Sequence, residues 1–328
     1  MAHTPKLNIF IIKLTPRNKE QVTFREFFRQ KYHADQSTED SEVYKLFYTD
    51  VINALGNKEF NNDSTSKKVI GVSQSANNPI GFSIRESEQI IDGLIDGGPY
   101  GLKREYADIS DKNHRKQIGT SEAVLDKFYI MLNTPYNYSE GYLLVQSYTE
   151  SSITESIKKA LFKVFMFDDK YYQPDFTPFV PRSFVEKFEK ESTVRLFSYD
   201  TVLGVSSCLR EDTVNYEGQS FNVRIELTPL DKSIKPGTSL MTAIGKVLGE
   251  LQFNGKRLSE ASKKIYIEDG NKRKVNYDVE KDLKSIRPTI YLEDEGVSID
   301  PKTGLLNYVS LKEFCLKQLH CIKEERKY

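Results

Sequence analysis

One stretch of the sequence concentrates positive charge in a way that suits a phosphate backbone. Between positions 256 and 274 there are seven basic residues against three acidic ones, and tyrosines stand among them and just after them. Lysine and arginine neutralise phosphates, and an exposed tyrosine ring offers a flat face on which a base can stack. The residues that this pattern marks for nucleic-acid binding are Lys256, Arg257, Lys263, Lys264, Tyr266, Lys272, Arg273 and Lys274. The alternative is an exposed hairpin whose lysines keep other strands from pairing with its edge.

A glycine-rich segment at positions 97–101 is a second candidate for contact with phosphate. It reads Gly-Gly-Pro-Tyr-Gly, and Lys103 and Arg104 follow shortly after it. Three glycines in five residues allow positive φ angles and let a ligand approach the backbone closely, while the two cations add charge. Lys103 and Arg104 therefore join the predicted nucleic-acid-binding residues. The alternative is a tight turn that leads into a strand.

Carboxylates near a Pro-Asp pair support a rival hypothesis, a metal-dependent nuclease. Such an enzyme holds its metal ion with aspartate and glutamate, and a nearby lysine polarises water or phosphate. Pro174-Asp175 is present, but the nearest Asp-x-Lys triplet, at 168–170, stands before it rather than after it. In this interpretation Asp168, Asp169 or Asp175 would act together with Glu226.

The sequence predicts no cofactor and no metal centre. The Gly245-Lys246 pair lacks the earlier glycine and the following Ser or Thr that a phosphate-binding Walker loop requires. Cys315, His320 and Cys321 share one helical segment, and neighbouring residues on a helix point about 100° apart, so they do not converge on a metal ion. No catalytic residue is assigned, and the leading hypothesis is a binding protein rather than an enzyme.

The composition is that of a neutral, folded chain. Of 328 residues, 47 are basic and 47 are acidic, so the formal net charge is zero and no charged tail demands an opposite partner. No apolar run approaches the roughly 20 residues of a membrane-spanning helix, and the N-terminus lacks the pattern of a signal peptide. Three cysteines are too few for a disulfide framework. These observations predict a cytoplasmic protein that does not insert into a membrane.

The elements that must position these residues are strands and helices in mixed order. Strands are predicted at 7–14, 69–72, 80–84, 127–132, 142–148, 194–205, 221–227, 263–267, 275–279 and 290–292. Ser/Thr-x-x-Glu capping boxes and apolar stripes predict helices at 23–30, 41–55, 89–95, 153–165, 240–251 and 310–322. The expected fold class is α+β, with mixed or antiparallel sheets and packed helices.

A proline-rich segment suggests where the chain divides. Three prolines fall within positions 174–181, and prolines at that density forbid regular helix and weaken any central strand. We expect an N-terminal domain at 1–167, a Pro/aromatic-rich junction at 168–182 and a C-terminal domain at 183–328 that carries the basic hairpin. Aromatic residues in the junction support a third interpretation, a protein-interaction scaffold or homo-oligomer held by Tyr171, Tyr172, Phe176 and Phe179.

The order of these features resembles that of uncharacterised bacterial proteins of about this size from phage-defence or mobile-element islands. The features are the Leu7–Leu14 strand, the 97–101 loop, the Tyr142–Tyr148 strand followed by a capped helix, and the basic hairpin from Lys263 to Val279. The resemblance covers most of the chain and implies a protein that binds nucleic acid or a phage component. No functional residue is carried over from it.

The leading hypothesis combines the basic hairpin with this resemblance. It describes a nucleic-acid-binding component of a bacterial antiviral defence assembly, with the hairpin as the contact surface and the segment around Lys103 and Arg104 as a second contact. The metal-dependent nuclease and the oligomeric scaffold stay open as alternatives.

Overall fold

The computed structural model shows an α+β protein with antiparallel sheets, which confirms the predicted fold class. It describes residues 4–16, 21–74, 81–166, 172–204, 220–230, 234–236, 252–253, 256–257, 262–278, 287–301 and 304–327. The described helices are α1 (Phe24–Lys31), α2 (Asp40–Ala54), α3 (Thr154–Phe165), α4 (Arg182–Glu191) and α5 (Tyr308–Arg326). The predicted helix at 240–251 lies outside the described residues.

The described strands fall into one large sheet and three smaller ones. They are β1 (Pro5–Pro16), β2 (Asn61–Asp63), β3 (Lys68–Val72), β4 (Ser83–Arg85), β5 (Ile90–Pro99), β6 (Arg104–Ala107), β7 (Arg115–Ile118), β8 (Asp126–Asn133), β9 (Glu140–Tyr148), β10 (Tyr172–Phe179), β11 (Thr193–Gly204), β12 (Ser220–Leu227), β13 (Gln252–Phe253), β14 (Lys256–Arg257), β15 (Ser262–Glu268), β16 (Lys274–Asp278) and β17 (Ile290–Tyr291).

The chain divides into two compact units. The first contains Met1–Phe179 together with Thr289–Tyr328, and the second contains Val180–Pro288. The division after Phe179 falls inside the predicted junction at 168–182. The predicted C-terminal domain at 183–328 differs from the second unit at its far end, because β17 pairs with β1 and thereby returns the chain to the first unit.

The first unit is built on a sheet with the strand order β10-β1-β9-β8-β5-β3-β2. The predicted first strand is confirmed as β1, which has β9 on one side and β10 on the other. Its residues from Ile9 to Ile12 are all buried, so layers cover it on both faces, as an uninterrupted apolar run indicates. The predicted strands at 127–132 and 142–148 are confirmed as β8 and β9, which pair with each other.

Helices α1, α2 and α3 cover one face of this sheet. Every second residue of the central strands, including Ile12, Ile95 and Ile130, contributes to a core that these helices complete. Aromatic rings dominate the helical side, and the ring centroids of Phe28 and Phe47 lie 4.5 Å apart. Burying each such ring contributes about 1.5–3 kcal/mol to stability, so the cluster fixes α1 and α2 firmly on the sheet.

Helix α5 contacts side chains of the large sheet that point away from helices α1, α2 and α3. Asp92 of β5 is fully buried, and its carboxylate accepts hydrogen bonds from the Tyr129 hydroxyl at 2.8 Å and the Ser83 hydroxyl at 2.9 Å. The Lys312 ammonium of α5 lies 2.7 Å from the same carboxylate. A buried carboxylate needs such partners because an unpaired charge in the interior is costly. The cluster therefore anchors the C-terminal helix to the sheet.

The helix predicted at 89–95 is wrong, because these residues begin β5. Glu86–Glu88 form a single 3₁₀ turn, Gln89 takes a φ of 51°, and the chain then extends from Ile90. Ile90, Ile91 and Leu94 are all buried on a strand whose successive side chains point to opposite faces. Burial on two opposite faces suits a central strand between two layers, and it overrides the capping-box signal at Ser83–Glu86.

Of the three other predicted capping boxes, one forms, and the remaining two are followed by the predicted helices without the boxes themselves forming. The box at Thr23 is confirmed, since its hydroxyl accepts from the Glu26 amide and the Glu26 carboxylate accepts from the Thr23 amide. The helices expected after the other two boxes form as α3 and α5, but the boxes themselves do not. Ile153 precedes α3 without a side-chain cap, and the side chain of Asn307 caps α5 by accepting from the Ser310 amide.

The proline-rich segment forms a strand at the edge of the sheet rather than an irregular junction. Tyr172–Phe179 pairs along its length with β1, from Pro16 opposite Tyr172 to Ile9 opposite Phe179. Proline has no amide hydrogen, so it is tolerated where one side of a strand has no partner. Pro174 and Pro178 are therefore compatible with β10, which ends the strand order on this side.

The second unit contains a four-stranded sheet in the order β12-β11-β15-β16. Its small core consists of Val194, Phe197, Tyr199, Ile265 and Ile267, which are all buried. The predicted strands at 194–205 and 221–227 are confirmed as β11 and β12. The predicted basic hairpin is also confirmed, with β15 and β16 paired around a turn at 269–273.

Candidate nucleic-acid interface

The residues after Gly101 form a two-stranded hairpin that we call the arm, comprising positions 102–118. Among the strands that the structure describes, β6 and β7 pair only with each other, and every residue from 102 to 117 is exposed. Asp108 and Asp111 hold the connecting turn, because their carboxylates accept hydrogen bonds from the backbone amides of Ser110 and Asn113. These bonds fix the turn from within, so the arm keeps its shape without a core beneath it.

The two faces of the arm differ sharply in charge. Side chains directly opposite each other in a hairpin share a face, and so do alternate residues along each strand. Arg104, Tyr106 and Lys116 share one face with Ile118, since Arg104 pairs with Ile118 and Tyr106 pairs with Lys116. This face has two cations, one aromatic ring and no carboxylate within the two strands. We call it the basic face of the arm.

The opposite face of the arm neutralises itself. The Arg115 guanidinium lies 3.2 Å from the Glu105 carboxylate, and the Gln117 side-chain amide lies 3.4 Å from its other oxygen. The Arg115 guanidinium offsets the charge of this carboxylate on the same face. The alternation along β6 has thus separated the acid from two of the cations.

An aromatic ring on the basic face is available for stacking. Tyr106 is 51% exposed, and the ammonium of Lys116 lies 6.0 Å from the centre of its ring. At the base of the arm a second pair of this kind brings the Lys67 ammonium to 5.7 Å from the ring of Tyr100. A cation beside an exposed ring is the combination that proteins use to hold a base and its phosphate together.

The glycine-rich segment before the arm is not a phosphate loop. Gly97 and Gly98 lie within β5 and pair with strand β3, so their amides belong to the sheet. They are glycines because other groups come close: a Cβ on Gly98 would lie 1.9 Å from the carbonyl oxygen of Val124, and one on Gly97 would lie 3.0 Å from the side chain of Ile153. Gly101 alone among the three has a positive φ, 90°. Its role is to turn the chain into the arm.

Sequence reasoning found part of the arm and missed the rest. Lys103 and Arg104 were predicted as binding residues, and the structure places them at the start of the exposed hairpin. Tyr106 and Lys116 were missed. The signal was available, because turn-forming residues at 108–113 separate two short segments in which alternate positions differ in charge.

The hairpin β15–β16 places the other predicted residues on a packed sheet. Lys264 and Tyr266 are half-buried, because they lie on the sheet next to strand β11. Lys272 and Lys274 are exposed, at the turn and at the start of β16, while Arg273 is half-buried. The structure therefore brings these five side chains into one hairpin, but only the two lysines near the turn are fully exposed.

Arginines of the second unit are bound to carboxylates. The Arg224 guanidinium lies 2.7 Å from Asp200, that of Arg195 lies 2.5 Å from Glu268, and that of Arg273 lies 3.7 Å from Asp269. Hydrogen bonds from Arg224 hold the pKa of Asp200 below its usual range. Hydrogen bonds from Arg195 do the same for the pKa of Glu268. These carboxylates therefore stay ionised near neutral pH, and they offset positive charge within the sheet.

For three further predicted residues the structure describes only the backbone. Lys256 and Arg257 form strand β14, which pairs with β13, and Lys263 is part of β15, opposite Tyr199. Their side chains lie outside the described part of the structure.

The residues of the rival hypotheses are only partly described. Asp175 is exposed on β10, where its carboxylate accepts from the Thr177 hydroxyl at 2.9 Å, and Glu226 is on β12 in the second unit. Asp168, Asp169 and Tyr171 lie outside the described residues, as does the side chain of Tyr172. Within the described ranges, no three His, Cys, Asp or Glu side chains group closely enough to hold a metal ion.

The aromatic side chains of β10 that the structure describes are half-buried. Phe176 packs against the core beneath α3, and Phe179 is also partly covered. Phe176 therefore has a structural role, whatever else binds at this edge.

Comparison with protein-family models, curated proteins and solved structures finds no match to this chain. No helix in the described part of the chain is both long enough and apolar enough to cross a membrane. The functional interpretation therefore stands on the geometry of the chain itself.

Proposed function

We propose that this protein binds nucleic acid and that the basic face of the arm is the contact surface. The single observation that carries the proposal is the separation of charge between the faces of the arm. Arg104 and Lys116 flank an exposed Tyr106 on one face, while Glu105 is paired with Arg115 on the other. A hairpin of this kind presents phosphate-binding cations and a stacking ring in one plane.

The exposed ring favours a single-stranded ligand. A base in a duplex is already stacked between its neighbours, whereas a base in a single strand offers both faces to an aromatic side chain. Tyr106 has Lys116 beside it, so a stacked base would place its phosphate within reach of an ammonium group. Two cations that each neutralise one phosphate make the affinity fall with added salt.

The hairpin of the second unit is a supplementary contact in this proposal. Lys272 and Lys274 are exposed near its turn and supply charge, but the arginines beside them are paired with carboxylates. Membership of an antiviral defence assembly rests on the resemblance alone and stays a prediction, as does the cytoplasmic location.

The test measures binding of the full chain to three fluorescein-labelled probes by fluorescence anisotropy at 50 mM salt. The probes are a single-stranded DNA and a single-stranded RNA of 20 nucleotides each, and a DNA duplex of 20 base pairs. The arm variant Arg104→Ala/Tyr106→Ala/Lys116→Ala removes two phosphate contacts and one stacked base, so we expect affinity to fall about 30-fold or more. A second variant, Lys272→Ala/Lys274→Ala, also removes two positive charges, but from the hairpin of the second unit. It serves as the control matched in charge. We expect it to lower affinity no more than about three-fold.

Three outcomes would contradict the proposal. Absence of binding by the wild-type chain at 50 mM salt would remove nucleic acid as the ligand. An equal or larger loss in the Lys272→Ala/Lys274→Ala variant would move the contact to the second unit. Tighter binding to the duplex than to either single strand would show that Tyr106 does not stack a base. Running the same samples on a denaturing gel with Mg²⁺ and Mn²⁺ tests the nuclease alternative, since that hypothesis predicts shortened strands.

A further inference from the structure

A cleft of about 580 Å³ lies beside helix α3, well within the range of small-molecule sites. Both ends of the large sheet contribute to it, because Asn62 of β2 and Phe176 of β10 line the same space. Helix α3 supplies much of the remaining lining, including Lys159 and Lys163. The cleft belongs entirely to the first unit, and it shares no residue with the arm.

The lining of this cleft holds one more positive than negative charge, and the excess lies at Lys163 because the other two lysines are ion-paired. Three lysines of α3 line it, at positions 158, 159 and 163, whereas the lining carboxylates are Asp63 and Glu155. The ammonium of Lys158 lies 2.9 Å from Glu155, and Lys163 is exposed. Residues four apart on a helix lie on the same side, so Lys163 stands one turn along from Lys159.

Asp63 is too fully bonded to attract a cation into the cleft. Its carboxylate accepts from the Lys159 ammonium at 2.8 Å, from the Ser66 hydroxyl at 2.7 Å and from the amides of Thr65 and Ser66. These donors, with Lys159 first among them, hold the pKa of Asp63 well below its ordinary range. The carboxylate thus fixes the turn after β2, and the net charge of the lining favours an anion.

An apolar wall completes the lining. Phe176, Phe162 and Ala160 border the cleft, and Phe176 is half-buried against the core of the first unit. A ligand that fits both parts needs a flat apolar ring for this wall and a compact anionic group for the lysines.

We propose that this cleft binds a nucleoside phosphate, with a phosphate group against Lys163 and its base against Phe176. The proposal goes beyond nucleic-acid binding by the arm, because it concerns a different ligand and a different surface. Lysine binds phosphate as a point charge, and Lys163 is the lysine of the lining that does not already hold Glu155 or Asp63.

Isothermal titration calorimetry of the full chain tests this assignment with ATP and GTP, and with adenosine and inorganic pyrophosphate as partial ligands. The key variants are Lys163→Ala and Lys163→Glu, since Lys163 is exposed and its replacement leaves the turn at Asp63 intact. Loss of one charge-assisted phosphate contact should weaken nucleotide binding about ten-fold in the alanine variant, and more in the glutamate variant. Lys317→Ala, which removes an exposed lysine from α5, is the control and should bind as the wild type does.

The role of the ring has its own variant. Phe176→Leu keeps an apolar side chain but removes the flat face, so it should weaken ATP binding and leave pyrophosphate binding unchanged. The arm variant of the previous section should bind ATP as tightly as the wild-type chain, which separates this site from the nucleic-acid interface.

Several results would overturn the proposal. No heat with either nucleotide would show that the cleft does not take this class of ligand. Nucleotide affinity that both Lys163 variants leave unchanged would place the binding elsewhere. Pyrophosphate that binds as tightly as ATP would remove the contact between base and Phe176.

Discussion

The arm of the first unit and the hairpin of the second unit are both short antiparallel ribbons rich in lysine and arginine, yet they differ in what surrounds the charge. The arm is exposed from 102 to 117 and packs on no core of its own. The hairpin forms half of a four-stranded sheet, and its own residues Ile265 and Ile267 are buried in the core of the second unit. The arm is therefore mainly solvent-exposed, whereas the hairpin of the second unit contributes buried side chains to a core.

Charge placement separates the two ribbons more clearly than charge count. On the arm, Glu105 is confined to the face that Arg115 neutralises, so the other face stays positive. In the second unit, Asp269 is bound to Arg273 within the basic stretch itself, and Glu268 is bound to Arg195 of β11. A phosphate backbone responds to the local potential of a surface, so a smaller number of unopposed cations can outweigh a larger number of paired ones.

The largest expected difference between the ribbons is in stability. Replacing Ile265 by alanine removes a fully buried side chain from the described core of the second unit and should destabilise this unit by about 2–5 kcal/mol. Replacing Tyr106 by alanine on the exposed arm should change stability by no more than about 0.5 kcal/mol. Denaturant unfolding of the full chain, with hydrogen exchange followed separately in peptides covering 262–278 and 24–54, measures both effects.

The contrast would fail if the two variants behaved alike. Faster exchange across 24–54 in Tyr106→Ala would mean that the arm supports the first unit. Unchanged exchange across 262–278 in Ile265→Ala would mean that the hairpin does not depend on the core beneath it.

The next effect concerns binding and tests charge placement directly. Lys116→Glu puts a carboxylate on the basic face of the arm, and we expect nucleic-acid affinity at 50 mM salt to fall more than about ten-fold because attraction becomes repulsion. Lys274→Glu makes the same change on the hairpin, where charges of both signs already stand, and should lower affinity about three-fold or less. Equal losses in the two variants would remove the distinction between the ribbons.

The sequence predicts those parts of the fold that depend on neighbouring residues better than those that depend on contacts between distant segments. Local signals worked where burial agreed with them, as in β1, the Thr23 capping box and the hairpin around 269–273. The capping box at Ser83–Glu86 failed because Ile90 and Ile91 are each buried, on opposite faces of the sheet. Two-sided burial is set by distant strands, so a local motif could not reveal it.

The candidate site shows the same limit. Lys103 and Arg104 are predicted because they follow a glycine-rich segment, but Gly97 and Gly98 serve close packing within β5 rather than a loop that approaches a ligand. The pairing of acids with Arg195 and Arg224 joins residues 73 and 24 positions apart. Composition along one stretch of chain therefore does not show which partner each charge has.

A smaller expected effect is an increase, rather than a decrease, in nucleic-acid affinity. Glu105→Gln removes the carboxylate that neutralises the opposite face of the arm and leaves Arg115 without its ion pair. One additional cation near the ligand should raise nucleic-acid affinity about two- to three-fold and steepen its salt dependence by up to about 0.7. Anisotropy titrations between 50 and 200 mM salt measure both quantities. An unchanged salt dependence would show that only the basic face meets the ligand.

The smallest effect follows from the ion pairs that distinguish the hairpin. Arg195 keeps the pKa of Glu268 below its ordinary value of 4.5, so the folded chain holds this carboxylate ionised to lower pH than the unfolded chain does. The pair therefore contributes its full stability above pH 4.5, and the contribution decreases as the pH falls through the lowered pKa. Because the pair is only partly buried and open to solvent on one side, the contribution is small. We expect the melting temperature of Arg195→Met to lie slightly below that of the wild-type chain at pH 7, and the difference to shrink as the pH falls below 4.5. A difference that stays constant from pH 7 to pH 3 would show that Arg195 stabilises the sheet by packing rather than by charge, and the charges of the hairpin would then be less firmly paired than the distances indicate.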